Sequence, residues 1–454
     1  MASSRDIFSS RRAAIYAMAG SAIGLGNIWR FPYLVGEHGG AAFIIVYLVS
    51  TILLSLPLFL AESVIGRRIH LGARGAMERL APGTPWRHLG VLTFISALVI
   101  LSFYSVVGGW SIDYFIKSLK LDFLPDHSEE VLGFFSGMIS RVWLPLVCHT
   151  AFIALTAVIV VFGITKGIER FSNISMPILF LLIIIIMLYS LSMPGAGEGI
   201  RYLVKPDFSK LDAGAVAGAM GQSFFSLSLG VGTILTYASH IKKSENLLTS
   251  GVGTIVFDLF FAILAGFAVM PAVFAAGIEP GAGPGLIFET LPYIFSRMGA
   301  QAPILSSIIA ILFFLTILVA ALTSSISMME TGVTYLMEQK GLRRGTAVLL
   351  FSGVIWALGC LCSLSFGPLS GVKILGCTIF DFCDSLSSNF LMTLGGLLFV
   401  LFVGWKMRRS DVRDELTSEG LYKTNGKLFG VLYFLIRYVA PVIIAIVFIS
   451  NLLM

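Results

Sequence analysis

Long apolar runs follow one another along almost the whole chain, and they constrain its fold more than any other feature. Of its 454 residues, 57% are hydrophobic and 12% are charged, about half the charged fraction of a soluble domain. Most runs are long enough for an α-helix to cross a bilayer, which takes roughly 20 residues. The sequence therefore predicts an all-α polytopic membrane protein. The lipid bilayer is its expected partner, and the net charge of +6 does not indicate a nucleic acid.

The apolar runs divide into eleven predicted transmembrane helices. Their approximate bounds are 13–35, 41–66, 89–118, 142–163, 170–192, 214–240, 248–277, 301–338, 345–365, 374–405 and 428–452.

Basic residues are unevenly distributed between the loops. The segment before span one and the loops after even-numbered spans carry most of the lysines and arginines, and the opposite loops are poorer in them. Loops rich in Lys and Arg stay on the cytoplasmic side of a membrane. The N-terminus is therefore predicted to be cytoplasmic, and an odd number of spans places the C-terminus outside.

Two spans contain residues that break helices. Span one is interrupted at SAIGLGN (21–27) and span six at SLSLGVG (226–232). Each interruption opens a block of five spans, which predicts an inverted five-helix repeat with helices 1 and 6 unwound at the membrane midplane. The predicted organisation is a cytoplasmic segment 1–12, a first repeat 13–192, an external loop 193–213, a second repeat 214–405, a cytoplasmic loop 406–427 and an eleventh helix 428–454.

The interruptions leave backbone groups without helical partners, which lipid tolerates only where the backbone lines a cavity or is buried in protein. The freed carbonyls suit a cation, and the exposed helix N-termini suit a carboxylate. Close helix packing is the alternative explanation for glycines in membrane helices. Two matched breaks flanked by Ser, Asn and Gln favour the midplane site of a secondary transporter.

Three motifs resemble signatures of the neurotransmitter:sodium symporter family. AGSAIGLGNIWRFPYLVGEHGGAAF (19–43) resembles that of its first helix, GQSFFSLSLGVG (221–232) that of its sixth and ALTSSIS (321–327) that of its eighth. The motifs occur in order, and the similarity covers nearly the whole chain. It implies Na⁺-coupled import of amino acids by alternating access in a bacterial cytoplasmic membrane. Eleven helices resemble a bacterial subgroup, and no oligomer is required.

The resemblance implies two bound sodium ions next to the broken first helix. The ligands implied for the first ion, beside the substrate carboxylate, are the Ala22 carbonyl and the side chains of Asn27, Ser226 and Asp258. Those implied for the second are the carbonyls of Gly20, Ile23 and Ala320 and the hydroxyls of Thr323 and Ser324. Hard oxygen ligands suit a hard cation. Taken alone, the run Thr323–Ser325 instead indicates hydrogen bonding between helices.

The resemblance also implies an amino-acid site beside the first ion. The carboxylate of the substrate is expected to meet the N–H groups near Leu25 and Gly26 and the Tyr104 hydroxyl. The implied substrate-binding residues are Ser21, Ala22, Gly24, Leu25, Gly26, Ile100, Tyr104, Phe225, Ser226, Ser228, Val231, Ser324 and Met328. This set is largely apolar and contains no charged residue.

Gly24 separates substrate classes within the family. Amine-transporting relatives have Asp there, which supplies the carboxylate that an amine lacks, so glycine indicates a substrate with its own carboxylate. A neutral, hydrophobic amino acid fits best. Val231 and Met328 are adaptable in size and leave the choice between aliphatic and aromatic side chains open. Ser21 stands where the best-known bacterial pattern has Asn, which leaves the polar side of the pocket open.

Asp258 is a carboxylate in the middle of span seven, and an acid within a membrane is a functional hypothesis by default. Tyr47, Gln222 and Ser226 match chloride-binding positions of chloride-dependent relatives. Asp258, however, stands where those relatives have Asn, and Ala262 where they have Ser. A fixed carboxylate repels chloride and replaces its charge. The sequence therefore predicts chloride-independent transport, with proton counter-transport on Asp258 during the return step.

Arg30 resembles one half of the family's external gate. It is expected to pair with Asp384 across the external vestibule, above an apolar lid of Tyr104 and Phe225. Taken alone, Arg30 also fits an arginine that snorkels to the membrane interface.

Three further acids lie within or near the ends of predicted spans. The resemblance implies that Glu338 pairs with Arg5 as the internal gate on the cytoplasmic side. Glu62 is expected to bond to backbone near the broken helices. No role is assigned to Glu330, and a proton path through either intramembrane acid, Glu62 or Glu330, is the alternative.

The sequence contains no nucleophile–base set, nucleotide-binding loop or metal cluster, which favours a transporter over an enzyme. The glycines of GLG and GVG follow no strand and lack the Lys-Ser/Thr of a phosphate loop. The open alternatives are a Na⁺-dependent substrate-binding sensor, a proton-coupled amino-acid carrier and a passive channel. A channel needs a continuous polar stripe, which the spans do not show.

Overall fold

The first half of the chain folds into helices joined by short turns. The computed structural model describes residues 6–121, 131, 133–278, 287–298 and 303–453. The helices up to residue 226 are α1 (Arg11–Ala22), α2 (Phe31–Glu37), α3 (Ala41–Ser50), α4 (Leu56–Ile69), α5 (Ala73–Leu80), α6 (His88–Leu119), α7 (Phe134–Ile139), α8 (Trp143–Val161), α9 (Arg170–Leu191), α10 (Ala196–Val204) and α11 (Ala213–Ser226). Short 3₁₀ turns lie at Pro85–Arg87 and Phe208–Lys210.

The second half is also helical. Its helices are α12 (Thr233–Ala238), α13 (Leu247–Ala275), α14 (Thr290–Met298), α15 (Pro303–Lys340), α16 (Arg344–Leu364), α17 (Ile379–Ser385), α18 (Met392–Leu401), α19 (Arg409–Thr417), α20 (Lys423–Phe434) and α21 (Ala440–Leu453). Six π-helical segments lie between or at the ends of helices. Those at Thr51–Ser55, Leu386–Leu391 and Leu435–Val439 join two helices, and those at Gly26–Arg30, Ile164–Glu169 and Phe402–Lys406 extend one end of a helix.

Within the described residues, nine helical runs are long and apolar enough to cross a membrane. They are Ala41–Ile69, Pro85–Leu119, Trp143–Val161, Ile164–Leu191, Leu247–Ala275, Pro303–Lys340, Arg344–Leu364, Ile379–Lys406 and Asn425–Ser450. Each overlaps one of the eleven predicted spans. The two predicted spans outside this set, 13–35 and 214–240, are those that carry the helix-breaking motifs.

Both of these spans are interrupted. The helix α1 ends at Ala22, and Ile23 has extended backbone angles (φ −71°, ψ 106°). The helix α11 ends at Ser226, and α12 begins only at Thr233. Neither segment therefore forms one continuous helix of spanning length.

The second break is held in place from two sides. Glu62 of α4 accepts hydrogen bonds from the backbone N–H of Gly230 (2.7 Å) and of Leu235 (3.3 Å), which matches its expected role. Gly230 has a φ of +83°, which favours glycine. A Cβ there would collide with the Met392 carbonyl oxygen, so α18 packs backbone against backbone on the loop.

Large apolar side chains are exposed on many of the long helices. Examples are Trp143, Leu181, Val256, Leu349 and Val442. Exposed apolar surface on this scale suits lipid and not water. The polar side chains around the two breaks, by contrast, are buried inside the helix bundle.

Candidate functional site

The two helix breaks border a cavity with about 370 Å³ of empty space, part of it open to solvent. The hydroxyl of Ser228, in the second break, donates to the carbonyl of Ser21 at the first (3.0 Å). The cavity is lined by Ala22, Gly24, Leu25, Gly26, Ile100, Tyr104, Phe225, Ser228, Val231, Ser324, Met328 and Met392. The structure thus gathers eleven of the thirteen predicted substrate-binding residues around one space.

The other two predicted residues, Ser21 and Ser226, support the wall without lining the cavity. The Ser21 hydroxyl donates to the Ser327 hydroxyl (2.7 Å). The Ser226 hydroxyl is turned toward Asp258. Both side chains are satisfied by protein partners behind the lining.

Met392 lines the cavity although the sequence did not indicate it. It lies at the start of α18 and reaches the cavity beside the loop that Gly230 forms. An apolar residue within an apolar span carries no signal that distinguishes it from a lipid-facing neighbour.

The lining is polar at a few points only. The Leu25 N–H donates to the Tyr104 hydroxyl (3.4 Å), so these two groups meet where the substrate carboxylate was predicted. Ser228 and Ser324 supply the remaining side-chain hydroxyls. All lining residues belong to the described part of the chain, and none of them is charged. The cavity therefore suits a small ligand whose charges can be met by backbone and hydroxyl groups.

Gly24 lies where little space is left. A Cβ on Gly24 would collide with the Ser324 hydroxyl and come within 3.0 Å of the Tyr104 hydroxyl. A side chain at this position would therefore displace groups that border the cavity.

A cluster of buried polar side chains lies behind the cavity. Asn27 donates to Asp258 Oδ1 (2.8 Å) and to the Ser226 hydroxyl (3.1 Å). Ser226 donates to the same carboxylate at 2.8 Å, and the Tyr47 hydroxyl donates to it at 3.4 Å. These four side chains are fully or almost fully buried. Three of the four residues predicted for the first sodium ion are thus in mutual contact, and the fourth, Ala22, borders the cavity.

The residues predicted for the second sodium ion also meet. The Thr323 hydroxyl donates to the carbonyls of Ile23 (3.1 Å) and Ala320 (2.8 Å). The Ser324 hydroxyl reaches the Ile23 carbonyl at 3.3 Å. Gly20 faces Thr323, since a Cβ on Gly20 would lie 3.4 Å from the Thr323 Cβ. The first break and α15 therefore place five oxygen-bearing residues side by side.

A second, larger cavity of about 1040 Å³ lies next to the first. Four residues line both cavities, and they are Leu25, Gly26 and the two predicted lid residues Tyr104 and Phe225. Arg30 and Asp384 line the larger cavity, and the Arg30 guanidinium lies 5.1 Å from the centre of the Phe225 ring. Both charged residues lie in the described part of the chain, and they form no direct ion pair there.

The predicted internal gate is described only in part, because Arg5 lies outside the described residues. The Gly72 N–H donates to both carboxylate oxygens of Glu338, the predicted partner of Arg5, at 2.9 Å to Oε1 and 3.1 Å to Oε2. Phe8 is buried against Tyr237, with ring centres 6.0 Å apart. The N-terminal segment is therefore packed against α12.

Glu330, which the sequence left without a role, is paired with Arg344. Arg344 donates to Glu330 Oε1 (3.1 Å) and to the Val160 carbonyl (2.8 Å). The pair joins α15, α16 and α8. The sequence indicated Arg344 only as a basic loop residue, because nothing local links it to an acid fourteen residues earlier.

The comparison with known proteins decides the family. A family model described as the Sodium:neurotransmitter symporter family matches residues 5–132 and 136–454. The chain belongs to this family.

Several known proteins resemble it over nine tenths of their length or more. An uncharacterized sodium-dependent transporter of Bacillus subtilis, YhdH, is 37% identical over 444 residues, covering 98% of this chain and 97% of that protein. An uncharacterized sodium-dependent transporter of Methanocaldococcus jannaschii is 32% identical over 469 residues, covering 99% of this chain and 91% of that protein. The crystal structure of MhsT in complex with L-phenylalanine matches with a TM-score of 0.89 and 40% identity, covering 98% of this chain and 100% of that one.

This symporter is therefore a sodium-dependent, multi-pass membrane transporter and not an enzyme. The predicted family and the predicted transport class are both confirmed.

Proposed function

We propose that this symporter imports neutral, hydrophobic amino acids together with Na⁺ by alternating access. The cavity between the two helix breaks carries the proposal. Its backbone N–H groups and the Tyr104 hydroxyl suit a carboxylate, whereas Ile100, Val231, Met328 and Met392 suit an apolar side chain. L-phenylalanine in the similar MhsT supports a substrate of this kind.

We propose two sodium ions. The first is bound by Asn27, Ser226, Asp258, the Ala22 carbonyl and the substrate carboxylate. Since the Asn27 amide nitrogen faces Asp258, its amide has to rotate before its oxygen can bind the ion. The second ion is bound by Gly20, Ile23, Ala320, Thr323 and Ser324. The contacts of the Thr323 hydroxyl with the Ile23 and Ala320 carbonyls, and of the Ser324 hydroxyl with the Ile23 carbonyl, support this set.

We further propose that transport is independent of chloride, because the buried Asp258 carboxylate supplies the negative charge. Tyr47 and Ser226 contact that carboxylate, whereas Gln222 donates to the Gly26 carbonyl (2.9 Å). Asp258 takes up a proton when the ion and substrate have left, and this proton is returned as counter-transport.

The proposed architecture has eleven spans, with repeats 13–192 and 214–405 in inverted orientation. The N-terminus is cytoplasmic and the C-terminus external in a bacterial cytoplasmic membrane. Arg30 and Asp384 form the external gate, and Arg5 and Glu338 the internal one. Rocking of one helix bundle against the rest opens these gates in turn.

Uptake into proteoliposomes tests the proposal. Labelled hydrophobic amino acids are supplied under an inward Na⁺ gradient, with K⁺ in place of Na⁺ as the control and gluconate in place of chloride as a second arm. We expect accumulation with Na⁺ only, unchanged by gluconate, and competition by phenylalanine and other hydrophobic amino acids. Equal uptake in K⁺ would indicate a uniporter or a proton-coupled carrier. Na⁺-dependent binding without uptake would indicate a sensor.

A further inference from the structure

An arginine in the last membrane-spanning run has no acidic partner among the described residues. Arg437 lies in the π-helical segment Leu435–Val439, within the apolar run Asn425–Ser450. Its Nε is buried without a hydrogen-bond partner, and no carboxylate of the described residues forms an ion pair with it. A charged side chain at such a place is costly unless it is paired or reaches the membrane interface.

Aromatic rings hold the guanidinium of Arg437 in place. Its central carbon lies 4.6 Å from the centre of the Trp405 ring, 5.4 Å from that of Tyr438 and 6.0 Å from that of Tyr433. The rings are themselves fixed, because Trp405 donates to the Arg437 carbonyl (2.9 Å) and Tyr433 to the Gly404 carbonyl (3.1 Å). Stacking occupies the faces of a guanidinium and leaves its N–H donors available at the edge.

A second arginine shares one of these rings. The Arg409 guanidinium lies 5.4 Å from the centre of the Tyr433 ring and 5.6 Å from that of Phe429. Arg409 is exposed and, like Arg437, has no acidic partner among the described residues. Both guanidinium groups thus lie within 6.0 Å of the centre of one ring, and the planar donor edge of a guanidinium matches the oxygens of a phosphate.

Two acids of α19 already have other partners. Asp411 accepts from Arg68 (2.8 Å), and Glu415 accepts from the fully buried Arg67 (2.8 Å). The positive charge of Arg409 and Arg437 is therefore not offset by these two acids of α19.

Exposed apolar side chains adjoin the two arginines. They are Trp405, Val431, Phe434, Tyr438 and Val442. The rings of Phe434 and Tyr438 lie 5.4 Å apart, and those of Trp405 and Tyr438 lie 5.7 Å apart. A ligand that contacts both the two arginines and these apolar side chains must carry an anionic group and long apolar chains.

We propose that Arg409 and Arg437 bind the phosphate of an anionic phospholipid, whose acyl chains lie along the apolar strip from Trp405 to Val442. Basic pockets between helices near the membrane surface bind such headgroups. Free phosphate has the same anionic chemistry but has no acyl chains to contact the apolar strip. Snorkelling of Arg437 to water, without any lipid preference, is the competing account.

Quenching of Trp405 fluorescence by brominated lipids tests the proposal on the full-length protein in detergent. Dibromo-acyl phosphatidylglycerol is titrated against dibromo-acyl phosphatidylcholine, and a Trp405→Phe variant identifies the signal that belongs to Trp405. We expect the anionic lipid to quench at about tenfold lower mole fraction, as one charge-assisted contact allows. The preference should disappear in Arg437→Gln and in the double variant Arg409→Gln/Arg437→Gln. It should persist in Arg79→Gln, which removes an exposed arginine elsewhere.

Equal quenching by both lipids in the wild type would overturn the proposal, as would an unchanged preference in Arg437→Gln. Inorganic phosphate should not displace the brominated lipid, and displacement at millimolar concentration would reduce the site to a simple anion site. If Arg437→Gln does not fold, Arg437→Lys keeps the charge without the planar donor edge. The Arg437→Lys variant should then show a preference for the anionic lipid that is severalfold weaker than in the wild type. An unchanged preference in this variant would contradict the bidentate contact.

Discussion

At the scale of single residues, Gly24 determines how much room the ligand has. Replacing it by alanine places a methyl group against the Ser324 and Tyr104 hydroxyls, both of which border the cavity. We expect Gly24→Ala to raise the KM for amino-acid uptake at least about tenfold, since one displaced polar contact costs roughly 1–3 kcal/mol. Initial rates of Na⁺-driven uptake measure the effect.

Gly221→Ala is the matched control for Gly24→Ala, because it lies on the broken helix α11 and has nothing within 4 Å of a new Cβ. It should leave KM within about twofold of the wild type, since alanine is favoured over glycine in a helix. An unchanged KM in Gly24→Ala would show that the space at this position does not limit the substrate.

Asp258 should determine the anion dependence. In Asp258→Asn the buried negative charge is lost, while Tyr47 and Ser226 keep their hydroxyls beside the new amide. We expect uptake in gluconate to fall at least about tenfold, because a bound Na⁺ loses a charged partner worth several kcal/mol. Chloride should restore part of this uptake, which a titration of the initial rate against chloride concentration measures. If Asp258→Asn transported at the wild-type rate in gluconate, the proposed role of the Asp258 carboxylate would be refuted.

The sequence predicted the residues at the helix breaks better than those that reach them from elsewhere. Gly24, Asn27 and Thr323 stand out because polar and helix-breaking residues are rare within apolar spans. Met392 and Arg344 do not stand out, because their importance depends on contacts with distant parts of the chain.

At the scale of helices and loops, Gly230 holds the second break against α18. We expect Gly230→Ala to lower the melting temperature by several degrees, because it combines a left-handed backbone with a collision against the Met392 carbonyl. The backbone strain alone costs about 1–3 kcal/mol. Thermal unfolding followed by intrinsic fluorescence measures the change.

Gly277→Ala separates strain from collision, since Gly277 has a similar φ of +70° but nothing within 4 Å of a new Cβ. Its melting temperature should fall less than that of Gly230→Ala. Equal losses in the two variants would mean that the contact with α18 adds nothing.

The pair Glu330–Arg344 should couple α15, α16 and α8. Arg344→Gln leaves the buried Glu330 carboxylate unpaired, and Glu330→Gln leaves the half-buried Arg344 without its carboxylate, whereas the double variant removes both charges. We expect a coupling free energy of about 1–3 kcal/mol in a double-mutant cycle of unfolding. The surface pair Arg74–Glu78, with atoms 2.7 Å apart, serves as the reference and should give about 0.3–0.5 kcal/mol. A coupling no larger than that reference would mean that the inner pair does not join the helices.

Hydropathy predicts the uninterrupted spans because bilayer thickness fixes the length of each apolar run. It does not predict the surface helices α5 and α10, whose residues lie outside those runs. The π-helical segments such as Leu435–Val439 were also not predicted, since they depend on how neighbouring helices pack. A break within each of the segments 21–27 and 226–232 was predicted because the glycines and serines there are local signals.

At the scale of the whole molecule, the cavity and the two oxygen clusters form one connected unit. The first break contributes Ala22 to the cavity, Asn27 to the first cluster and Ile23 to the second. Filling any one of these places fixes the same stretch of backbone. Bound Na⁺ should therefore increase the affinity for the substrate, and bound substrate should increase the affinity for Na⁺ by the same factor.

This coupling predicts how Na⁺ changes the stability of the molecule. Replacing K⁺ by Na⁺ should raise the melting temperature, because each site filled at a hundred times its dissociation constant contributes about 2.7 kcal/mol. A hydrophobic amino acid should raise it further in Na⁺ but not in K⁺, since its carboxylate completes the shell of the first ion. The double variant Thr323→Ala/Ser324→Ala should lose part of the Na⁺ effect. Thr331→Ala removes a similar intrahelical hydroxyl bond to Ser327 (3.1 Å) and should keep it. An equal melting temperature in K⁺ and Na⁺ would show that the two oxygen clusters do not bind sodium.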